Sequence, residues 1–261
     1  MAIEGARFLL SSVPMIEVEP SNHEGAITTL ADHGAVSFDH LYDPTYIARV
    51  AGAFDHYFDR ELLDRGGCYN DVGDRRYMIP LPLRAPFTDD ALCDPPALRA
   101  LFTAALGEDY VIQSYGAVLA LPGAGPQPFH RDYSLLFDPI VSLPPYALTV
   151  VVPLIDMTPE LGTTALILGS HTSDARGEHR PYPPRGGCYL WDYRLHHAGL
   201  ANHAKVRRPI LYLVYSRPWF ADPENFKKGP PLQPIEGELS PRMVHLFRRA
   251  RRGARLAWVS E

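Results

Sequence analysis

The stretches "YALTVVVPLIDM" (residues 146–157) and "TTALILGS" (163–170) decide the fold class. Both are dense in Val, Ile, Leu and Thr and are punctuated by Pro or Gly, which is the grammar of β-strands. Neighbouring runs read the same way. They are "YVIQSYGAVLAL" (110–121), "QPFHRDYS" (127–134), "GCYLWDYR" (187–194) and "RPILYLVYSRPWF" (208–220), separated by turn signals such as "PGAGP" and "PPRGG". Before residue 110 the period is helical. "HEGAITTLADHG" (23–34) carries Asn22 as N-cap, "DPTYIARVAGAFDHYFDRELLDRGG" starts on Asp-Pro and stops at Gly66, and "DPPALRALFTAALG" starts at Asp94 and stops at Gly107. Helices followed by closely spaced strands predict a mainly β chain, a double-sheet jelly roll with helices packed on one face. We read 1–261 as a single domain, with a mainly helical part (1–109), a jelly-roll core (110–220) and a C-terminal extension (221–261).

Composition narrows the function classes. The 261 residues are 46% hydrophobic and 21% charged, which excludes disorder, a coiled coil, a collagen-like fibre and a disulfide miniprotein. Twenty-six prolines and 14 tyrosines suit strands joined by loops. The formal charge of −5 gives no general attraction to nucleic acid. The basic cluster "RMVHLFRRARRGAR" (242–255) reads as a solvated helix face. Cys68, Cys93 and Cys188 form no CxxC pair, which with the lack of a convincing signal peptide in "MAIEGARFLLSSVPMIEV" suggests the cytoplasm. No apolar run approaches 18 residues, so no membrane span is expected. No GxGxxG or Walker loop follows a strand.

Two constellations carry chemistry. In "QPFHRDYS", His130 and Asp132 stand two apart on an expected strand and so share a face. In "LWDYRLHHAGLAN", His196 and His197 are adjacent, so one of them faces the same site. Two histidines and a carboxylate form the facial triad of non-haem Fe(II), with zinc as the competing tenant. Arg207 and Arg208 open the next strand ten and eleven residues after His197. A guanidinium there can grip a distal carboxylate of a chelating 2-oxo acid, which a hydrolytic zinc site does not need.

In order and spacing, residues 110–220 resemble the phytanoyl-CoA dioxygenase family of Fe(II)/2-oxoglutarate-dependent oxygenases. "QPFHRD" resembles the first metal segment. "LIDMTPELGTTALILGSHTSD" resembles the hallmark D-x-T-x-E-N-G-x-L-x-x-x-PGSH, with Leu161 for Asn and Leu168 for Pro. "DYRLHHAGLAN" resembles D-x-R-x-x-H-x-G-x-x-N and singles out His197, "RRPILYLVY" resembles the cosubstrate clamp with Arg208, and "SRPWF" resembles the end of the last core strand. The resemblance implies a double-stranded β-helix, Fe(II) held by His130, Asp132 and His197, and 2-oxoglutarate and O2 as cosubstrates, with succinate and CO2 released. Asp132 stands where related halogenases carry a small residue, so the resemblance implies hydroxylation or another oxidation of a small organic molecule.

The same resemblance points to further residues. Gln113, on the strand before the metal segment, is expected to help hold 2-oxoglutarate, and Thr164 to donate its hydroxyl to a carboxylate. Gly199 stands where some relatives carry a hydroxyl, so that contact is lost or replaced. His171 and the Asp192–Arg194 pair read as structural. Arg75, Arg76 and Tyr77 read as surface or structural residues, with binding of a substrate carboxylate or phosphate as the alternative. Tyr133, Leu135 and Phe137 are expected at the entrance, and 134–147 to form a lid. Two rival readings are a catalytically silent jelly-roll binding module and a zinc hydrolase using the same triad; no motif selects a substrate class or an oligomeric state.

Overall fold

Five of the apolar runs become strands, each shorter than its run: β4 (Val111–Ala120), β5 (Ala147–Pro153), β6 (Thr164–Leu168), β8 (Cys188–Asp192) and β10 (Arg208–Ser216). The computed structural model describes residues 16–62, 69–133, 143–172, 175–222, 224–226 and 230–251. Cys68, Leu135, Phe137 and the end of the basic cluster lie outside the described residues. Five shorter strands complete the architecture: β1 (Ala35–Phe38), β2 (Asn70–Asp71), β3 (Arg76–Pro80), β7 (Gly177–His179) and β9 (His197–Gly199). A seven-stranded antiparallel sheet runs β1-β8-β5-β10-β4-β3-β2, and a three-stranded sheet runs β7-β6-β9. This is the mainly β, jelly-roll-like arrangement that the strand pattern predicts.

The N-terminal part is less purely helical than its sequence suggests. It supplies β1, which pairs with β8, and β3, which pairs with β4, so it builds both flanks of the large sheet. β1 has four residues, too few to show a period.

Helices cover one face of the large sheet. α1 (His23–His33) begins where Asn22 Oδ1 accepts from Gly25 N at 3.0 Å, and α2 (Pro44–His56) where Asp43 Oδ1 accepts from Tyr46 N at 2.9 Å. α2 ends ten residues before the expected Gly66 and runs into a π-helical turn at Tyr57–Glu61. A short α3 (Asp90–Cys93) precedes α4 (Pro96–Leu106), whose Leu98, Leu101, Phe102 and Leu106 are buried at helical spacing. Phe102 stacks on Tyr215 of β10 at 4.1 Å between ring centroids.

β10 decides which residues see the interior. It is buried on both faces, so its sequence shows no polar alternation. Leu211, Leu213 and Tyr215 join the helix-side core, whereas Ile210, Tyr212 and Val214 join the clusters on the opposite face. Register then sets rows across the sheet: Arg208 and Arg76 both oppose Ala120, Ile210 and Met78 oppose Val118, and Tyr212 opposes Gly116.

A short α5 (Pro241–Leu246) is capped by Ser240 Oγ accepting from Met243 N. The basic cluster around it is only partly a solvated face: Arg248 and Arg251 are exposed, but Arg242 and Arg249 turn inward. Arg242 Nε bonds the buried Asp94 carboxylate at 2.8 Å, and Arg249 donates to the Phe220 carbonyl at 2.7 Å and to Gln113. Among the described residues no helix is long and apolar enough to cross a membrane.

Candidate metal centre

The segment carrying His130 and Asp132 is not a strand, contrary to expectation. Pro126 and Pro128 have no N–H to give a ladder, so pairing falls to the residues between and beyond them. Gln127 N donates to Gly199 O at 2.8 Å, and His130 and His197 exchange both backbone bonds at 2.9 and 2.8 Å. That single bridge sets two metal-binding residue types side by side, with ring centroids 4.5 Å apart.

His130, Asp132 and His197 each present one ligand atom, and the three atoms lie within 4.8 Å of one another. Both rings are oriented alike. His130 Nδ1 donates to Pro128 O at 2.9 Å and His197 Nδ1 to Leu195 O at 3.0 Å. A carbonyl only accepts, so each Nδ1 carries the proton and each Nε2 keeps its lone pair for a metal. Asp132 Oδ2 accepts from Thr149 Oγ1 at 3.1 Å, its Oδ1 is 3.5 Å from His197 Nε2, and its backbone carbonyl accepts from Asn225 Nδ2 at 2.6 Å. Burial pushes the Asp132 carboxyl up, but His197, His130 and Thr149 outweigh it and hold it ionised. Burial, then the neighbouring His197, pulls His130 down, whereas the Asp132 carboxylate keeps His197 above the usual imidazole range despite its burial. Two neutral-nitrogen donors and one carboxylate within reach of a common centre fit a divalent first-row metal.

The triad opens on a cavity of about 610 Å³, within the range of small-molecule sites. At its far end stand Arg208 and Arg76, each about 1% exposed. Their guanidiniums converge on one carbonyl: Arg76 Nη2 donates to Leu200 O at 2.9 Å and Arg208 Nη1 to the same oxygen at 3.3 Å. Arg76 also reaches Gly125 O, and Arg208 reaches Leu161 O. Both Nε atoms are buried without a partner, and no carboxylate among the described residues pairs with either side chain. Burial, then the Arg208 charge beside it, pulls Arg76 down to about 10. Two buried, still protonated guanidiniums without an acid form an anion site lacking its anion's charge within the protein.

Arg76 reaches this place because Gly199 has no side chain. A Cβ there would lie 2.3 Å from Arg76 Nη1 and 2.6 Å from Gln127 Oε1. The space a side chain at 199 would fill is thus occupied by a guanidinium from another strand. Arg75 is exposed, and Arg207 faces outward onto Asp55 and Asp59 at 2.6 and 2.7 Å, so one arginine of each adjacent pair enters the cavity.

The remaining expected residues divide. Thr164 lines the cavity and accepts from Tyr189 Oη at 3.1 Å. Gln113 does not line it. A register shift after Val214 pairs Val214 with Ser114 and Tyr215 with Ile112, skipping Gln113, whose amide oxygen accepts from Arg249 away from the cavity. His196 stands outside the triad, its backbone N–H bonded to Ser170 Oγ. His171 Nε2 bonds Ala31 O at 3.2 Å, and Asp192 and Arg194 form a buried pair at 2.7 Å, both structural as expected. Tyr133 packs on Phe220 at 5.5 Å. Sequence reasoning missed Thr149, although it is the only polar residue in "YALTVVVPL". Asn225 lies in a segment with no motif.

Comparison with known proteins bears on this centre. A family model described as phytanoyl-CoA dioxygenase matches residues 31–210, well over half of the chain. Dioxygenase af480 of Aspergillus fumigatus is 29% identical over 177 residues, which are 64% of this chain and 56% of that protein. The chain therefore spans little more than half the length of that relative. Among solved structures, the epimerase SnoN in complex with Fe3+, alpha ketoglutarate and nogalamycin RO superposes with a TM-score of 0.60 at 18% identity, over 76% of this chain and 85% of SnoN. AviO1 from Streptomyces viridochromogenes superposes at 0.57 and 22% identity, over 76% and 96%. These superpositions establish the shared fold.

Proposed function

The chain belongs to the phytanoyl-CoA dioxygenase family of Fe(II)/2-oxoglutarate-dependent oxygenases, and on that premise we propose that it oxidises a small organic molecule, by hydroxylation or a related C–H oxidation. The observation that carries this reading is the presence, in one cavity, of the His130–Asp132–His197 set and an acid-free pair of buried arginines. A hydrolytic zinc site needs the first and not the second.

His130, Asp132 and His197 would hold Fe(II). The metal with 2-oxoglutarate and O2 supplies the oxidising power to break a substrate C–H bond, with succinate and CO2 as co-products. The chain's own part is positioning. Pro128 O and Leu195 O hold the two rings in their ligating tautomer. Thr149 and Asn225 restrain the Asp132 side chain and backbone from opposite ends. Arg208 and Arg76 together bind the distal carboxylate of 2-oxoglutarate, and the Thr164 hydroxyl lines the same cavity. Trp191, with its ring 4.9 Å from the His197 ring, helps exclude water from the metal.

The test is anaerobic. Fe(II) and then 2-oxoglutarate are added to metal-free protein while the visible spectrum is recorded. A weak charge-transfer band that needs both additions and is lost in His197→Ala is expected. A folded protein that takes up zinc but gives no band with iron and 2-oxoglutarate would falsify the reading.

A further inference from the structure

We propose that Tyr212 and Ser114 form a hydroxyl subsite that binds a neutral oxygen function of the substrate, such as an alcohol, ketone or ester oxygen. The proposal deepens the oxygenase reading and rests on it for the word substrate.

Both side chains line the cavity and are more than nine-tenths buried, and neither hydroxyl has a hydrogen-bond partner in the protein. A buried hydroxyl without a partner is unfavourable, and of the five among the described residues, Ser114, Tyr115, Thr163, Tyr212 and Ser216, only Tyr212 and Ser114 line the cavity. Here two occur on adjacent rows of one wall. Tyr212 opposes Gly116, and Ser114 opposes Val214, the next inward-facing residue of β10. Gly116 makes the arrangement possible. A Cβ at 116 would fall 2.8 Å from Tyr212 Oη and 2.7 Å from the Ile79 carbonyl, so the phenol occupies the space a side chain would fill.

The subsite is within reach of the metal ligands. Val214 opposes Ser114 on one side and Thr149 on the other, and Thr149 carries the bond to Asp132. Two strand spacings therefore separate Ser114 from the strand that steadies Asp132, about 10 Å. A molecule presenting a C–H bond near the triad can place an oxygen function at these hydroxyls.

Charge argues for a neutral group. Apart from the triad histidines, the only basic side chains among the described residues lining the cavity are Arg76 and Arg208, and both belong to the cosubstrate end. Met78, Val118, Val214 and Tyr193 pack with Tyr212 in one cluster, and the charge nearest in effect is the Asp132 carboxylate, which repels an anion. A second anion there would find no cation, and its desolvation would be unpaid by any partner.

The experiment titrates three probes by 19F NMR into protein loaded anaerobically with Fe(II) and 2-oxoglutarate: 4-fluorophenol, fluorobenzene and 4-fluorobenzoate. The wild type should bind 4-fluorophenol about 3- to 10-fold more tightly than fluorobenzene, the range of one net hydrogen bond, and should show no gain for the benzoate. The preference should shrink in Tyr212→Phe and in Ser114→Ala and vanish in the double variant. A preference that survives the double variant overturns the proposal. So does a Tyr212→Phe protein that loses affinity for 2-oxoglutarate while keeping the phenol preference. If no charge-transfer band forms, the titration is repeated on metal-free protein carrying glutarate. A phenol preference there, lost in the double variant, upholds the hydroxyl subsite and sinks only the oxygenase reading; its absence sinks the subsite as well.

Discussion

His130 and His197 exchange both of their backbone hydrogen bonds, and this one bridge places the two imidazoles of the candidate metal centre 4.5 Å apart. The residues are far apart in sequence and belong to different segments. The bridge fixes their Cα positions, and the Pro128 and Leu195 carbonyls then fix the rings. Four hydrogen bonds to the backbone thus prepare two ligands before any metal arrives, which lowers the ordering cost of binding.

The first prediction concerns Thr149. Thr149→Val keeps shape but leaves Asp132 Oδ2 without its donor. Fe(II) affinity should fall about 10-fold, the lower end of what supporting partners of metal ligands contribute. Anaerobic competition titration against a chelator measures it. Asp132→Ala should abolish iron binding altogether.

A second prediction tests the arginine pair without any metal. Glutarate, the distal half of the cosubstrate's chemistry, should raise the Tm of metal-free protein by mass action. The rise should vanish in Arg208→Ala and be reduced in Arg76→Ala. Gly199→Ala should behave like Arg76→Ala, because the added Cβ falls on the Arg76 guanidinium. An unchanged glutarate shift in Gly199→Ala would show that Arg76 takes no part.

The pH dependence of that shift follows from Arg76. Its pKa in the fold is depressed to about 10, below the ordinary arginine value it has in the unfolded chain. The sign is that of a depressed base: the fold binds the Arg76 proton less well than the unfolded chain, so that contribution to stability is present at high pH and lost as pH falls through about 10. Glutarate does the reverse, since it needs the charge. Its stabilising effect should therefore be full at neutral pH and decline as pH rises past about 10 in the wild type, with a smaller decline in Arg76→Ala. Differential scanning fluorimetry across that range decides it.

Gln113 provides a contrast. Its amide faces Arg249 and not the cavity. Gln113→Ala should leave 2-oxoglutarate affinity unchanged and cost about 1.5–3 kcal/mol of stability, as expected when a part-buried guanidinium loses a partner. A weakened charge-transfer titration with unchanged Tm would return Gln113 to the cosubstrate site.

Much of this was legible in the chain. Five of the six strand runs between 110 and 220 and the capped helices at Asn22 and Asp43 could be read, because strand period and cap chemistry are properties of neighbours in sequence. The residue types of the triad and Arg208 could be read too, but the strand expected to carry His130 and Asp132 did not form, and only the family resemblance chose His197 over His196. Arg76 shows the limit. Its sequence context, "GDRRYMIP", is that of a surface turn, and its alternation with Arg75 and Tyr77 says nothing about which neighbour enters the interior. Only the pairing of β3 and β10 on either side of Ala120 sets it beside Arg208, and only the bare Cα of Gly199, on a third strand, leaves it room. Gln113 shows the same limit from the other side, since one residue of register shift on β4 removed it from the cavity. By itself the sequence determined which elements form and which chemistry is on offer. The tertiary structure decided which side chains share an interior, because register and close approach arise between segments that are remote along the chain and whose mutual placement no local pattern encodes.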